Sequence, residues 1–368
     1  MSATPAGRTG PGSLLRRRLG GVVAVVAVLA ACAAPAPPVA SGSEAVGYRN
    51  PVFEPILADP SVVRADDGTF YAYGTEDDWG DGEGSRVVPV VRSTDLVTWE
   101  YVGEAFADQP RWHNGFVWAP DVVRVGGAYH LYYSLSVWGD ANPGIGVATS
   151  PDPAGPFTDH GALLTSREVG VENAIDPQVV VDDGARYLLW GSFHGIYGVR
   201  LSADGLSLAG NKFQIAGDGF EAPYVVVRDG VYWFFGSLGS CCEGALSTYR
   251  VAIGRAERLQ GPYLGRDGTD LREGLGTPLL RSGAGFVGPG HPAVVRDDHG
   301  GDWLLYHAIE PRQPYVDSGA NRRVLMLDPL VWTDGWPSVA GGQPGDGRQP
   351  PPRLDPRPLS RPAFEVHE

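Results

Sequence analysis

The chain has 368 residues, with 43 acidic against 29 basic side chains and a formal charge of −14. That balance excludes nucleic acid and acidic polymers as natural partners and suits a neutral ligand. Fifty-two glycines and 32 prolines, with little helical periodicity and many short aromatic or β-branched runs, predict an all-β protein.

The N-terminus reads as an export signal. Arg8 and Arg16 to Arg18 form a basic stretch without an acid, and the apolar run Leu19 to Ala31 is too short to span a bilayer. It ends in Leu29-Ala30-Ala31-Cys32, which resembles the bacterial lipobox, in which Cys32 is lipidated. An ordinary secretory signal is the alternative. Residues 1–31 are thus expected to be a lipoprotein signal peptide and 32–47 a flexible Ala/Pro/Ser tether. Residues 48–340 are expected to fold, and 341–368 to form a loose Pro/Gly-rich tail. Loss of residues 1–31 removes four arginines and no acid, deepening the charge from −14 to −18. The expected location is the extracellular face of the membrane, held by lipid. With Cys32 lipidated, only the adjacent Cys241 and Cys242 remain. They read as two buried thiols in preference to a vicinal disulfide.

Within the folded region one pattern recurs five times. It begins "DPSVVRADDGTFYAYGT" at Asp59, "APDVVRVGGAYHLYYSL" at Ala119 and "DPQVVVDDGARYLLWGSF" at Asp176, then "APYVVVRDGVYWFFGSL" at Ala222 and "HPAVVRDDHGGDWLLYHA" at His291. Each is a hairpin: proline, β-branched strand, glycine turn, aromatic strand. The prolines are 60, 120, 177, 223 and 292, so each unit has room for two more strands. The expected fold is a five-bladed β-propeller. A two-sheet sandwich is the rival, but it has no reason to repeat one hairpin five times. Trp99 and Trp303 fall at repeat positions and read as blade core.

In a propeller the first strand of every blade lines the central channel, so the residues before the five prolines face one shared site. They are Asp59, Ala119, Asp176, Ala222 and His291, with Glu221 beside Ala222. A single Asp-Pro is ordinarily a turn cap. Three carboxylates brought to one mouth are costly to bury unless function or a cation compensates. Glycoside hydrolysis needs a carboxylic acid to protonate the leaving oxygen and a carboxylate to activate water or attack the sugar. A third carboxylate can hold the acid's pKa up. The apolar run around Glu221 (GFEAPYVVV) suits it as the acid, and Asp59 suits the base.

The motifs "ADPSVV", "STDLVTWE", "WAPDVV", "NAIDP", "EAPYVV", "GSCCEG", "QGPY", "GPGH" and "DGWP" together resemble glycoside hydrolase family 43, in its arabinan endo-1,5-α-L-arabinanase branch. The resemblance spans roughly residues 50–339. It implies inversion, with Asp59 as general base, Glu221 as general acid and Asp176 tuning and orienting the acid. Inversion places base and acid roughly 6.5–9.5 Å apart. His291 matches a channel histidine beside a bound ion, commonly calcium with a shell of waters; imidazole is not calcium's preferred ligand, so that expectation rests on the resemblance. Expected substrate contacts are Trp118, stacking on a furanose, Gly139, where backbone approaches the sugar, the run Asn173, Ala174 and Ile175, and Ser192, Phe193 and His194. The family often has an aromatic at the position of His194. His307 reads as structural. The expected activity is hydrolysis of internal α-1,5 bonds of arabinan, in the side chains of pectin, by a monomer. The alternatives are an exo-acting α-L-arabinofuranosidase or β-xylosidase of the same fold, and a non-catalytic glycan-binding lipoprotein.

Overall fold

A computed structural model describes residues 47–355. Cys32 and the signal and tether segments before residue 47 lie outside the described residues. The regular structure of the described chain is almost entirely strand, chiefly in five four-stranded antiparallel sheets. Blade I is built from Ser61–Arg64, Phe70–Tyr73, Pro89–Ser93 and Glu100–Glu104. Blade II follows with Phe116–Val125, Ala128–Ser136, Gly144–Ser150 and Thr158–Thr165. Blade III is Gln178–Asp182, Ala185–Trp190, Ile196–Arg200 and Phe213–Ala216. Blade IV is Glu221–Arg228, Val231–Leu238, Arg250–Ala256 and Thr277–Leu280. Blade V is Val287–Arg296, Asp302–Ile309, Arg323–Thr333 and Trp336–Ser338. The fold is a five-bladed β-propeller, as the five prolines predict.

One blade cannot bury both of its faces, so the apolar core lies between blades. Five clusters fill the five joints. Tyr73 and Val90 meet Leu131 between blades I and II, and Tyr132 meets Trp190 between II and III. Leu189 meets Phe234 between III and IV, and Phe235 meets Tyr306 between IV and V. Trp99 and Trp303 share the V–I joint with Phe70 and Leu305, which makes both core residues as expected.

The ring closes through chain ends on both sides of that joint. Val52 and Leu57 donate backbone hydrogen bonds to Leu325 and Arg323 of blade V, and Tyr48 pairs with Gln349. The loose tail predicted from residue 341 onward is therefore corrected for residues 341–355. Leu354 packs on the V–I core, and Gln349 Nε2 reaches the buried Asp328 at 2.7 Å. A Pro/Gly-rich composition gave no sign of this, because the contacts are made by a few isolated side chains and by backbone.

Each pre-proline residue has a left-handed backbone: φ is 53° at Asp59, 45° at Ala119, 60° at Asp176, 51° at Ala222 and 53° at His291. Proline disfavours the right-handed helical region for its predecessor, and left-handed backbone costs a non-glycine residue about 1–2 kcal/mol. A strain repeated five times is held by the surroundings. Four of these residues donate their N–H to a polar side chain at or near the end of the second strand of the preceding blade. Asp59 N–H goes to His307 Nδ1 (3.1 Å) and Ala119 N–H to Thr75 Oγ1 (2.8 Å). Asp176 N–H goes to Ser134 Oγ (3.0 Å) and His291 N–H to Ser237 Oγ (2.9 Å). Ala222 departs from the pattern: its N–H goes to the carboxylate of Asp176 (3.1 Å), and the equivalent Ser192 hydroxyl is used elsewhere.

Candidate active site

The left-handed turns deliver their side chains to a pocket of about 880 Å³ at one mouth of the channel. Asp59, Asp176, Glu221 and His291 all line it. All three carboxyl residues are buried. Their environments differ, and so do their proton affinities.

Glu221 is the most strained as an anion. Burial is the first cause and the Asp176 carboxylate the second, and together they push its pKa up to about 8. Ser192 opposes this by donating its hydroxyl to Oε2 at 2.8 Å, and Tyr249 does the same. Asp176 is pushed up to about 6, by burial first, with His291 pulling it down. Asp59 goes the other way. Burial would raise it, but Arg323 and His291 outweigh burial and hold it well below the usual carboxylate range. Arg323 reaches both Asp59 oxygens with one guanidinium nitrogen, at 3.1 and 2.9 Å. Thr75 Oγ1 donates to Oδ2 at 2.6 Å. At neutral pH the site therefore pairs a protonated Glu221 with an ionised Asp59, the division of labour that acid–base chemistry on a glycosidic bond requires.

His291 Nδ1 lies 3.2 Å from Asp59 Oδ1, and its pKa is raised: burial lowers it and the Asp59 carboxylate outweighs burial. His307 is wholly buried beneath the Tyr249 ring, with centroids 5.6 Å apart. Its Nδ1 accepts the Asp59 N–H, and burial pushes it down to about 4, so it stays neutral. It supports the Asp59 backbone, in keeping with the structural role expected of it.

Calcium takes six to eight oxygen ligands. His291 is engaged with Asp59, and the Asp59 oxygens are engaged by Arg323 and Thr75. Among the described residues no three His, Cys, Asp or Glu side chains converge to hold a metal. The described side chains alone do not supply calcium's ligand set, so an ion beside His291 would take most of its ligands from water.

The expected substrate contacts divide. Trp118, Gly139, Asn173, Ile175, Phe193 and His194 line the pocket. Ala174 does not; it is fully buried in the joint between blades II and III. Ser192 faces the pocket, but its hydroxyl holds Glu221. Trp138 was missed. It is 80% exposed and tilts against Trp118, with centroids 5.6 Å apart, so two indoles form one apolar wall. Asp77, Thr75, Tyr249 and Arg323 were also missed. Thr75 and Ser192 sit at matching places in the repeat, after a glycine at the end of the aromatic strand, which was the available signal. Arg323 and Asp77 fall outside the repeat and carried none.

Cys241 and Cys242 form a vicinal disulfide in the pocket wall, which corrects the expectation of two thiols. They are half-buried rather than buried. Asn321 of blade V clamps their loop, donating to Cys242 O at 3.1 Å and accepting from Gly244 N–H at 2.7 Å.

The model of the family described as "Glycosyl hydrolases family 43" matches residues 48–337, nearly all of the described chain. The chain belongs to glycosyl hydrolase family 43. Its relatives include the extracellular endo-α-(1→5)-L-arabinanase 1 of Bacillus subtilis, 33% identical over 298 residues, covering 77% of this chain and 87% of the relative. The extracellular exo-α-(1→5)-L-arabinofuranosidase ArbA of Cellvibrio japonicus is 31% identical, covering 76% and 85%. Among solved structures, the Cellvibrio cellulosa α-L-arabinanase complexed with arabinohexaose superposes with a TM-score of 0.67. It is 29% identical, covering 78% of this chain and 96% of that one.

Proposed function

We propose that this family 43 chain hydrolyses internal α-1,5-L-arabinofuranosidic bonds of arabinan with inversion. The observation that carries the reading is the split in proton affinity between Asp59 and Glu221 within one pocket. Glu221 protonates the leaving oxygen. Asp59 takes a proton from the water that attacks the anomeric carbon. Asp176 keeps Glu221 protonated through its charge, and its grip on the Ala222 N–H sets where the neighbouring acid stands. Trp118 and Trp138 offer an apolar face to a furanose, and Asn173, Ile175, Phe193 and His194 line the rest of the cleft. A non-catalytic glycan binder has no need of these tuned carboxylates. The export signal ending at Cys32, together with relatives described as extracellular, supports action outside the cell from a lipid anchor.

The test is digestion of linear debranched arabinan, with products sized over time and Glu221→Gln as control. Arabino-oligosaccharides, absent with the mutant, are expected. Release of arabinose alone would move the chain to the exo mode of its Cellvibrio japonicus relative.

A further inference from the structure

The Arg323 guanidinium is shared. One nitrogen holds Asp59, and the other reaches Asp77 Oδ2 at 3.1 Å. The three groups come from separate places: the first turn of blade I, the start of the third strand of blade V, and a two-stranded ribbon, Asp77–Asp78 with Ser85–Arg86. Asp77 and Arg323 both line the pocket, and Arg323 is 7% exposed. The ribbon is itself anchored. Ser85 donates to Glu76 at 3.0 Å, and Ser318 of blade V donates to Asp78 O at 2.7 Å.

A base needs proton affinity, and a guanidinium alone on Asp59 removes it. A second carboxylate on the same guanidinium offsets part of that charge. It also fixes the plane of the fork, so that one nitrogen is always presented to Asp59. We propose that Asp77 is a positioning residue that acts through Arg323 to keep Asp59 basic enough to activate water. The proposal rests on the reading of Asp59 as general base. Glu76 is the other carboxylate beside Asp77, but it is taken up by Val117 N–H, Ser85 and Gln109.

Azide separates this role from a structural one, because the anion attacks without losing a proton. Its terminal nitrogen bonds to the anomeric carbon, the bond to the leaving oxygen breaks, and Glu221 gives that oxygen its proton. The experiment compares wild type, Asp59→Asn and Asp77→Asn on linear arabinan, with and without sodium azide, and follows glycosyl azide by mass spectrometry. Asp77→Asn is expected to lower kcat about tenfold with KM little changed. Azide is expected to restore both variants and to leave wild type unchanged. Loss in Asp77→Asn that azide does not restore, while it restores Asp59→Asn, overturns the proposal, as does a wild-type kcat. Full activity in Asp59→Asn, or restoration of neither variant, removes Asp59 from the base role and sinks the underlying reading instead. If Asp77→Asn does not fold, Arg323→Lys serves. It keeps a cation beside Asp59 without a fork for Asp77, and the same azide-restored loss is expected.

Discussion

Glu221 and Asp176 share one low-dielectric corner, so they titrate as a pair and the charge of one is felt by the other. As the proposed general acid, Glu221 works only while protonated. With its pKa pushed up to about 8, kcat/KM should hold through neutral pH and fall as pH rises past that value. Asp176→Asn removes a negative charge beside it. Glu221 then ionises more readily, and the basic limb should move toward lower pH. Glu221→Gln should lose about 10²- to 10⁴-fold in kcat across the whole range. Profiles of kcat/KM against pH on linear arabinan would check both variants. An unmoved limb in Asp176→Asn would leave burial as the sole cause of the acid's high pKa. The three carboxylates were legible in the sequence because the repeat gave them a common address before a proline. Arg323 and Asp77 were not, since each reaches the site from outside the repeated hairpin, and Arg323 comes to Asp59 only when the closed ring sets blade V against blade I.

The repeated hairpin is also a joint. A left-handed residue before proline turns its N–H toward the preceding blade, where Thr75, Ser134, Ser237 or His307 accepts it. The hairpins and blade number were legible because strand alternation and turn glycines are local. The acceptors were harder to see, because their role appears only when one blade lies against the next. Ser134→Ala and Ser237→Ala should each cost about 1–3 kcal/mol, the usual penalty for a buried donor left unpaired. Denaturant unfolding should register both as lower midpoints with an unchanged slope. Ser134→Ala should also lower activity, because the N–H it strands belongs to Asp176. At the joint between blades III and IV the pattern is spent on the site: Ser192 serves Glu221, and Asp176 takes the N–H that a serine takes elsewhere. Structure and chemistry are thus exchanged at a single joint of the five.

A propeller's ring is closed only if its last blade is tied to its first. Here the tie is made by the segment before blade I and by the stretch after blade V, each holding the other. Tyr48 and Gln349 exchange backbone hydrogen bonds at 2.9 Å, and the Tyr48 hydroxyl reaches Leu327 O at 2.7 Å. Asp328 is the pivot. It is 1% exposed and accepts from Gln349, the Gly345 N–H, Tyr306 and Asn50. Arg353 N–H caps Asp297, and Leu354 covers the V–I core. Truncation after Val339 would remove two of the partners of Asp328 and leave its carboxylate short of donors. It would also free the Tyr48 strand and uncover the joint that carries Trp303. Losses of this kind sum to several kcal/mol, so the truncated protein should melt roughly 10 °C below the full chain. Arg323 and Asp59 face each other across that same V–I joint, so the truncated enzyme should lose activity at temperatures below its melting point. Calorimetry and arabinan hydrolysis on the same preparation would test both effects. An unchanged Tm would return residues 341–355 to the status of a tail, whereas a lowered Tm with full activity would detach closure of the ring from the geometry of the base.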